Sequence, residues 1–227
     1  MTQAKERALR LRGVVFDLDG TLIDSRGDIA AACLHALAAH GFPALPEAQL
    51  LTYVGDGARP LLSRAAGIEP GDPRLDALYA AFIAYYQAHP VVHTRLCPGA
   101  ESAMSALSAR SLSLALCTNK PRVTTELVLA ALGWSERFRV VVAGGDLGKT
   151  KPDPFPIVHI AERLGLGPDE LVMVGDGAQD ILSGRAAGSL AVGVRGGIQP
   201  IERLLASEPD LLLDSLLELP DALTPWL

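Results

Sequence analysis

The sequence has little that would tie it to nucleic acid, to a membrane or to the secretory route. Its 227 residues carry 20 Lys and Arg against 26 Asp and Glu, a formal charge of −6, and the basic residues are scattered rather than run together. The electrostatic footprint of a nucleic-acid binder is therefore missing, and an anionic ligand would depend on local positive charge. No apolar stretch approaches the roughly 18 to 20 residues of a membrane span. The start, MTQAKERALRLRGVV, has neither a long apolar segment nor a small-residue cleavage site, which implies a cytoplasmic location. Cysteine is scarce: Cys33, Cys97 and Cys117 are odd in number, far apart and each set among apolar residues. That pattern suits buried free thiols rather than disulfides or a zinc cluster. The histidines, His35, His40, His89, His93 and His159, form no ligand spacing, which leaves them surface or helix-end roles. Internal repeats, heptad arrays and low-complexity tracts are also lacking.

What is present is a large apolar fraction, 49% of the chain, enough to bury a sizeable core in one large domain or two small ones. Short β-rich runs recur as GVVFDL, LSLALCT, FRVVVAG, LVMVGD and LAVGV, and after the second of them helical patterns separate each from the next. This predicts an α/β fold with a doubly wound parallel sheet covered on both faces. PDLLLDS at 209–215 could add an edge strand. Between the first and second runs the alternation breaks, and DIAAACLHALAAHGF, PEAQLLTYV, ARPLLSRAAG and PRLDALYAAFIAYYQAHP show apolar residues at three- and four-residue spacing. The spacing predicts a helical insert of about seventy residues, from about 24 to 95, joined near Asp24 and near Cys97-Pro98-Gly99.

Ligands of an open parallel sheet bind beyond the carboxyl ends of its strands. There the chain places Asp17, Asp19, Gly20 and Thr21 after the first run, Thr118, Asn119 and Lys120 after the second, and Asp176, Gly177 and Asp180 after the fourth. Asp and Gly also simply stop strands, and acids at a helix start are favoured by its dipole, so neither acid pair decides alone. Four carboxylates gathered at one edge cannot all stay ionised in a cleft without cations, and a hard divalent ion, Mg²⁺, suits oxygen ligands. A D-x-D spacing lets one carboxylate attack phosphorus while its neighbour protonates the leaving oxygen, with Gly20 turning the backbone beside them. Thr118 and Asn119 stand before Pro121, read as an early helix residue, so that capping and anion binding are both open to them. GGDLGKT at 144–150 is not a P-loop, because Ala143 stands where the first glycine should be and Pro152 and Pro154 follow.

DLDGT at 17–21, TNK at 118–120, KP at 151–152 and GDGAQD at 175–180 resemble, in order and spacing, the four motifs of the haloacid dehalogenase superfamily of aspartyl phosphohydrolases. The likeness covers the whole chain, and the helical insert resembles the cap of the family's small-substrate members. It implies a Rossmann-like core of residues 1–23 and 96–227 and an inserted helical cap domain, 24–95. Carried over, Asp17 is the nucleophile that forms an aspartyl phosphate and Asp19 the general acid, then base. Mg²⁺ is held by Asp17, by the Asp19 carbonyl and by Asp176, with Asp180 ordering the metal site from nearby. Thr118 and the backbone around Asn119 bind the phosphoryl group, and Lys151 neutralises its charge. Gly177 stands where relatives often have serine, which removes one hydrogen bond. The implied substrate is a small phosphorylated metabolite, with no nucleic-acid or membrane partner, and the oligomeric state is left open. A phosphomutase would use the same Asp17 and Asp19; a dehalogenase would not need Asp19, and a phosphoacceptor signalling module would not need the insert. YVGDGARPLLSRAAG at 53–67 and TNKP at 118–121 further resemble phosphoglycolate phosphatases. Gly55, Gly57 and Arg59 would then meet a small carboxylate, implying 2-phosphoglycolate, with another small sugar or acid phosphate as the alternative.

Overall fold

A computed structural model describes residues 10–227. In chain order the strands are β1 (Gly13–Phe16), β2 (Ile23–Asp24), β3 (Arg95–Leu96), β4 (Ser113–Pro121), β5 (Val140–Gly144), β6 (Leu171–Gly175), β7 (Leu190–Val194) and β8 (Leu211–Leu213). The helices are α1 (Arg26–Ala39), α2 (Glu47–Leu51), α3 (Ala58–Ala66), α4 (Arg74–Ala88), α5 (Ala100–Ala109), α6 (Arg122–Ala131), α7 (Phe155–Leu164), α8 (Ala178–Ala187), α9 (Ile201–Ala206) and α10 (Leu219–Ala222). One six-stranded sheet runs β5-β4-β1-β6-β7-β8, every pair parallel.

Alternation along β1 explains why the sheet is covered twice. Val14 and Phe16 join one apolar cluster, with Met104 and Leu107 of α5 and Val128 of α6. Val15 joins another, with Ile157 and Ile160 of α7. Side chains two apart share a face, so a strand that is apolar at every position needs helices on both. Val15 lies level with Ala115 of β4 on one side and Met173 of β6 on the other. The chain leaves β1 toward β4 and β5, then returns to β6 on its other flank, so the strand order reverses around β1. Crevices at such a reversal are where open α/β sheets hold ligands.

The PDLLLDS segment supplies β8, at the sheet edge. Pro121 closes β4 instead of entering the helix, and α6 begins at Arg122, because a proline also suits the extended residue that precedes a helix. Cys33 and Cys117 are buried free thiols, whereas Cys97 is only half-buried beside the exposed strand β3. No described helix is long and apolar enough to cross a membrane.

Helices α1 to α4 occupy the interval between β2 and β3, with α1 packed along α4. The two crossings lie side by side, since Ile23 pairs with Leu96 and Asp24 with Arg95 in an antiparallel ladder. Below them, the buried Asp28 carboxylate accepts from the N–H groups of Val92, His93 and Thr94 at 3.2, 2.9 and 2.9 Å and from the Thr94 hydroxyl at 2.6 Å. One side chain at the entry of the helical segment thus gathers the backbone of its exit.

Candidate active site

Asp17 is the first residue beyond β1, so it enters the crevice where the strand order reverses. It is buried, and its Oδ1 accepts from Lys151 Nζ at 2.7 Å. The same ammonium donates to the Cys117 carbonyl at 2.6 Å and lies 2.6 Å from Asp180 Oδ1. Lys151 comes from the loop between β5 and α7 and is held there by Asn119, whose Oδ1 accepts from the Lys151 N–H at 3.0 Å and whose Nδ2 donates to the Lys151 carbonyl at 2.9 Å. A third bond runs from Asn119 Nδ2 to the Gly55 carbonyl, 3.0 Å away. The Asn119 side chain is thus a bracket between loops, and only its backbone is left to meet an anion. Thr118 is buried beside it, its oxygen accepting from the Lys120 N–H at 3.2 Å while its own O–H is left to donate.

Asp176 follows the glycine that ends β6. Its Oδ1 accepts from the Thr21 hydroxyl at 3.0 Å and its Oδ2 from the Ile198 N–H at 2.8 Å. Gly20 passes directly beneath it with φ +94°, and a Cβ there would overlap Asp176 Oδ2; no other residue fits both the backbone and the space. Asp180 sits in the first turn of α8, its Oδ2 accepting from the Gly177 N–H at 3.0 Å.

Carboxylate oxygens of Asp17, Asp176 and Asp180 lie within 4.8 Å of one another. Burial, opposed by the Lys151 ammonium and reinforced by Asp180, raises Asp17 to about 7. Burial and then the charge of Asp17 raise Asp176 to about 6, and Asp180 is raised as well, chiefly by burial. Burial pulls the Lys151 ammonium down, but Asp17 and Asp180 outweigh it and lift it above the ordinary lysine range. Three carboxylates against one ammonium leave an excess of negative charge where water cannot screen it, and a hard divalent cation with oxygen ligands fits that deficit. Asp17 and Asp176 line the cavity, whereas Asp180, bound to Gly177 and Lys151, does not, so Asp17 and Asp176 are the donors better placed for an ion.

Residues 14–194 match the sequence pattern of the haloacid dehalogenase-like hydrolases. The chain belongs to that family. This hydrolase is 34% identical to the N-acetylmuramic acid 6-phosphate phosphatase of Pseudomonas aeruginosa over 96% of each chain. It is 36% identical to the phosphoglycolate phosphatase of Escherichia coli, over 94% of this chain and 92% of that one. A crystal structure described as a predicted phosphoglycolate phosphatase from Haemophilus somnus is similar with a TM-score of 0.85 at 29% identity, covering 93% of this chain and 97% of the other.

Of the hydrolase's expected site residues, Asp19 lines the same cavity as Asp17 and Asp176, and Arg59 lies elsewhere. Asp19 stands outside the carboxylate cluster, its Oδ1 accepting from the Ser25 hydroxyl at 2.6 Å and from Lys120 Nζ at 3.1 Å. Arg59 does not reach the crevice: its guanidinium pairs with Asp76 at 2.8 Å, lies over the Tyr79 ring at 4.6 Å from the centroid, and is half-exposed. One residue earlier, Ala58 does face the site, together with Gly55 and Gly57. These line a small cavity of about 50 Å³, closed on the apolar side by Leu61 and Phe82 and on the polar side by the carboxylates, Gln179 and Gln199. Gln199 Nε2 donates to the Val54 carbonyl at 3.1 Å and to Gln179 Oε1 at 3.0 Å, tying the loop before α3 to the sheet end. A Cβ at Gly177 would overlap the Gln179 amide, so Gln179 occupies the place a serine would take there. Lys120, inside TNK, and Gln179, inside GDGAQD, stand in motifs that gave them no role of their own, and Gln199 lies in no motif and carried no signal.

Proposed function

We propose that 2-phosphoglycolate is the substrate of this phosphoric monoester hydrolase, cleaved to glycolate and phosphate through an aspartyl phosphate on Asp17. The observation that carries the reading is that the start of α3, with Gly55, Gly57 and Ala58, lines the same small cavity as Asp17 and Asp19. Free N–H groups and the positive end of a helix dipole suit a carboxylate. Residues 24–95 act as a cap whose loop closes over the leaving group, tied down through Val54 and Gly55.

In the first step the Asp17 carboxylate attacks phosphorus and the ester oxygen departs with the bonding pair, taking a proton from Asp19. The Thr118 hydroxyl holds a phosphoryl oxygen, and the Lys151 ammonium, fixed by Asp17, Asp180 and the Cys117 carbonyl, neutralises charge on Asp17 and on the phosphoryl group. In the second step Asp19 takes a proton from water, the hydroxide attacks phosphorus, and Asp17 is released with inorganic phosphate. Asp17 and Asp176, with the Asp19 carbonyl, would hold Mg²⁺, which when bound neutralises charge on the phosphoryl group. Asp180 keeps Lys151 in place behind them.

A larger acid sugar phosphate is the second reading, favoured by the likeness to the N-acetylmuramic acid 6-phosphate phosphatase; the likeness to phosphoglycolate phosphatases speaks for the smaller ester. The test is phosphate release with Mg²⁺ from 2-phosphoglycolate, N-acetylmuramic acid 6-phosphate and p-nitrophenyl phosphate. The expected order has kcat/KM for 2-phosphoglycolate higher by about tenfold or more, and Asp17→Asn inactive on all three. A preference for the sugar phosphate would transfer the assignment to it, and turnover without phosphate release would indicate a mutase.

A further inference from the structure

Asp19 is connected to the helical segment through a single ammonium. Lys120 Nζ donates to Asp19 Oδ1 at 3.1 Å, to Oδ2 at 3.2 Å and to the Tyr86 hydroxyl at 3.0 Å, and it lies 4.4 Å from the centroid of the Tyr86 ring. The Lys120 side chain is 4% exposed. Tyr86 belongs to α4, well outside the motif residues, and is buried. An ammonium has three N–H donors, and these contacts use them all. With Ser25 holding Oδ1 at 2.6 Å, the orientation of the Asp19 carboxylate is set by Ser25 and Lys120, and that of Lys120 by Tyr86.

We propose that Lys120 and Tyr86 are positioning residues for proton transfer by Asp19, so that the group that moves protons is ordered only while α4 is packed against the sheet end. The proposal rests on the reading of Asp19 given above. Oδ1 accepts from both Ser25 and Lys120 and Oδ2 from Lys120 alone, so Oδ2 is the oxygen with more room to carry the proton that Asp19 transfers. As the bond from Asp17 to phosphorus forms and the ester P–O bond breaks, that proton passes to the leaving oxygen. The carboxylate left behind is the form the Lys120 ammonium stabilises, and it is the base the second step requires. Because the third N–H of the ammonium is spent on α4, chemistry is coupled to the helices that enclose the leaving group.

Tyr86→Phe removes the hydroxyl and keeps the ring beside the ammonium, so the packing survives. Phosphoenzyme formation is measured by rapid quench with labelled 2-phosphoglycolate, whose alkoxide leaving group needs a proton, and with labelled p-nitrophenyl phosphate, whose nitrophenolate does not. The expected result is a rate about tenfold lower with 2-phosphoglycolate but less than about threefold lower with the aryl ester, with KM within about twofold of the wild type. Equal losses on both esters would make Tyr86 a packing residue and overturn the proposal. A loss confined to KM for the carboxylated ester would overturn it too, by making Lys120 a ligand of the substrate. Asp19→Asn separates the two levels: it should show the same ester dependence, only larger. If Asp19→Asn slows both esters alike, the proton-transfer role of Asp19 fails; ester dependence in Asp19→Asn but none in Tyr86→Phe fails the positioning role alone.

Discussion

Replacing Gly55 by alanine separates a loop that recognises the leaving group from one that merely sits over it. Gly55 has φ +125°, and a Cβ there would overlap Gln199 Nε2. Two costs arise if the loop stays docked. A side chain in so sparsely populated a backbone region costs about 1–3 kcal/mol. The Gln199 amide must also swing away, giving up its bonds to Val54 and Gln179, at about 1 kcal/mol each. The sum, about 3–5 kcal/mol, is limited by whatever undocking the loop costs. The two bonds that dock it, from Gln199 to Val54 and from Asn119 to Gly55, suggest about 2 kcal/mol as the floor. At about 1.4 kcal/mol per tenfold, kcat/KM for 2-phosphoglycolate should fall by roughly thirtyfold or more. The assay is steady-state kinetics on 2-phosphoglycolate and p-nitrophenyl phosphate, the second lacking a carboxylate for the loop to meet. Gln199→Ala provides the internal check, because it removes both the overlap and the bonds; the double variant should lose about 1–2 kcal/mol less than the sum of the singles. Equal losses on the two esters would refute the recognition argument, and strict additivity would refute the overlap as its cause.

Chelation should abolish turnover and Mg²⁺ should restore it, because the buried carboxylates of Asp17, Asp176 and Asp180 repel one another and a phosphate dianion alike; full activity in excess chelator would remove the metal from the reading. Asp28→Asn should destabilise the fold by about 2–3 kcal/mol, measured by urea unfolding, since an amide cannot accept all the N–H and O–H groups gathered on the carboxylate. Burial would raise Asp28, but the Thr94 hydroxyl and the backbone N–H groups outweigh it and hold the group below the ordinary aspartate range. Its stabilisation is therefore complete above the unfolded pKa of about 3.9 and is lost as pH falls toward the folded value. The variant should lack that acid-dependent part; an unfolding midpoint equal to the wild type at pH 7 would show the cluster to be dispensable.

The sheet was legible because strands buried on both faces read as unbroken apolar runs, as GVVF, LVMVG and LAVGV do. The acids were legible because they stand directly after those runs. Contacts between distant segments left no such trace. Nothing near Tyr86 in the sequence announces that its hydroxyl meets Lys120, 34 positions along the chain, and nothing near Gln199 announces that it reaches Val54, 145 positions away. Arg59 shows how helix phase escapes a reading by position alone. Successive residues of a helix point about 100° apart, so the step from Ala58 to Arg59 turns the guanidinium from the cavity to Asp76 and Tyr79.

The D-x-D spacing joins two carboxylates in the sequence, and the fold then separates their surroundings. Asp17 shares a buried space with two further acids and one ammonium, Lys151, which leaves negative charge for a cation to balance. Asp19 shares its space with a hydroxyl and an ammonium, Ser25 and Lys120, a locally neutral set. The turn at Gly20, which no side chain could make beneath Asp176, lets residues so close in the chain diverge. On the proposed mechanism the division has a use. A nucleophile needs its charge balanced and its oxygen aimed, whereas a group that gives and takes protons must change charge twice in each turnover. Had both carboxylates shared Lys151, each change at Asp19 would have altered the charge balance around Asp17. With Lys120 paired to Asp19, and Lys151 to Asp17 and Asp180, attack and proton transfer each have an ammonium of their own within one crevice.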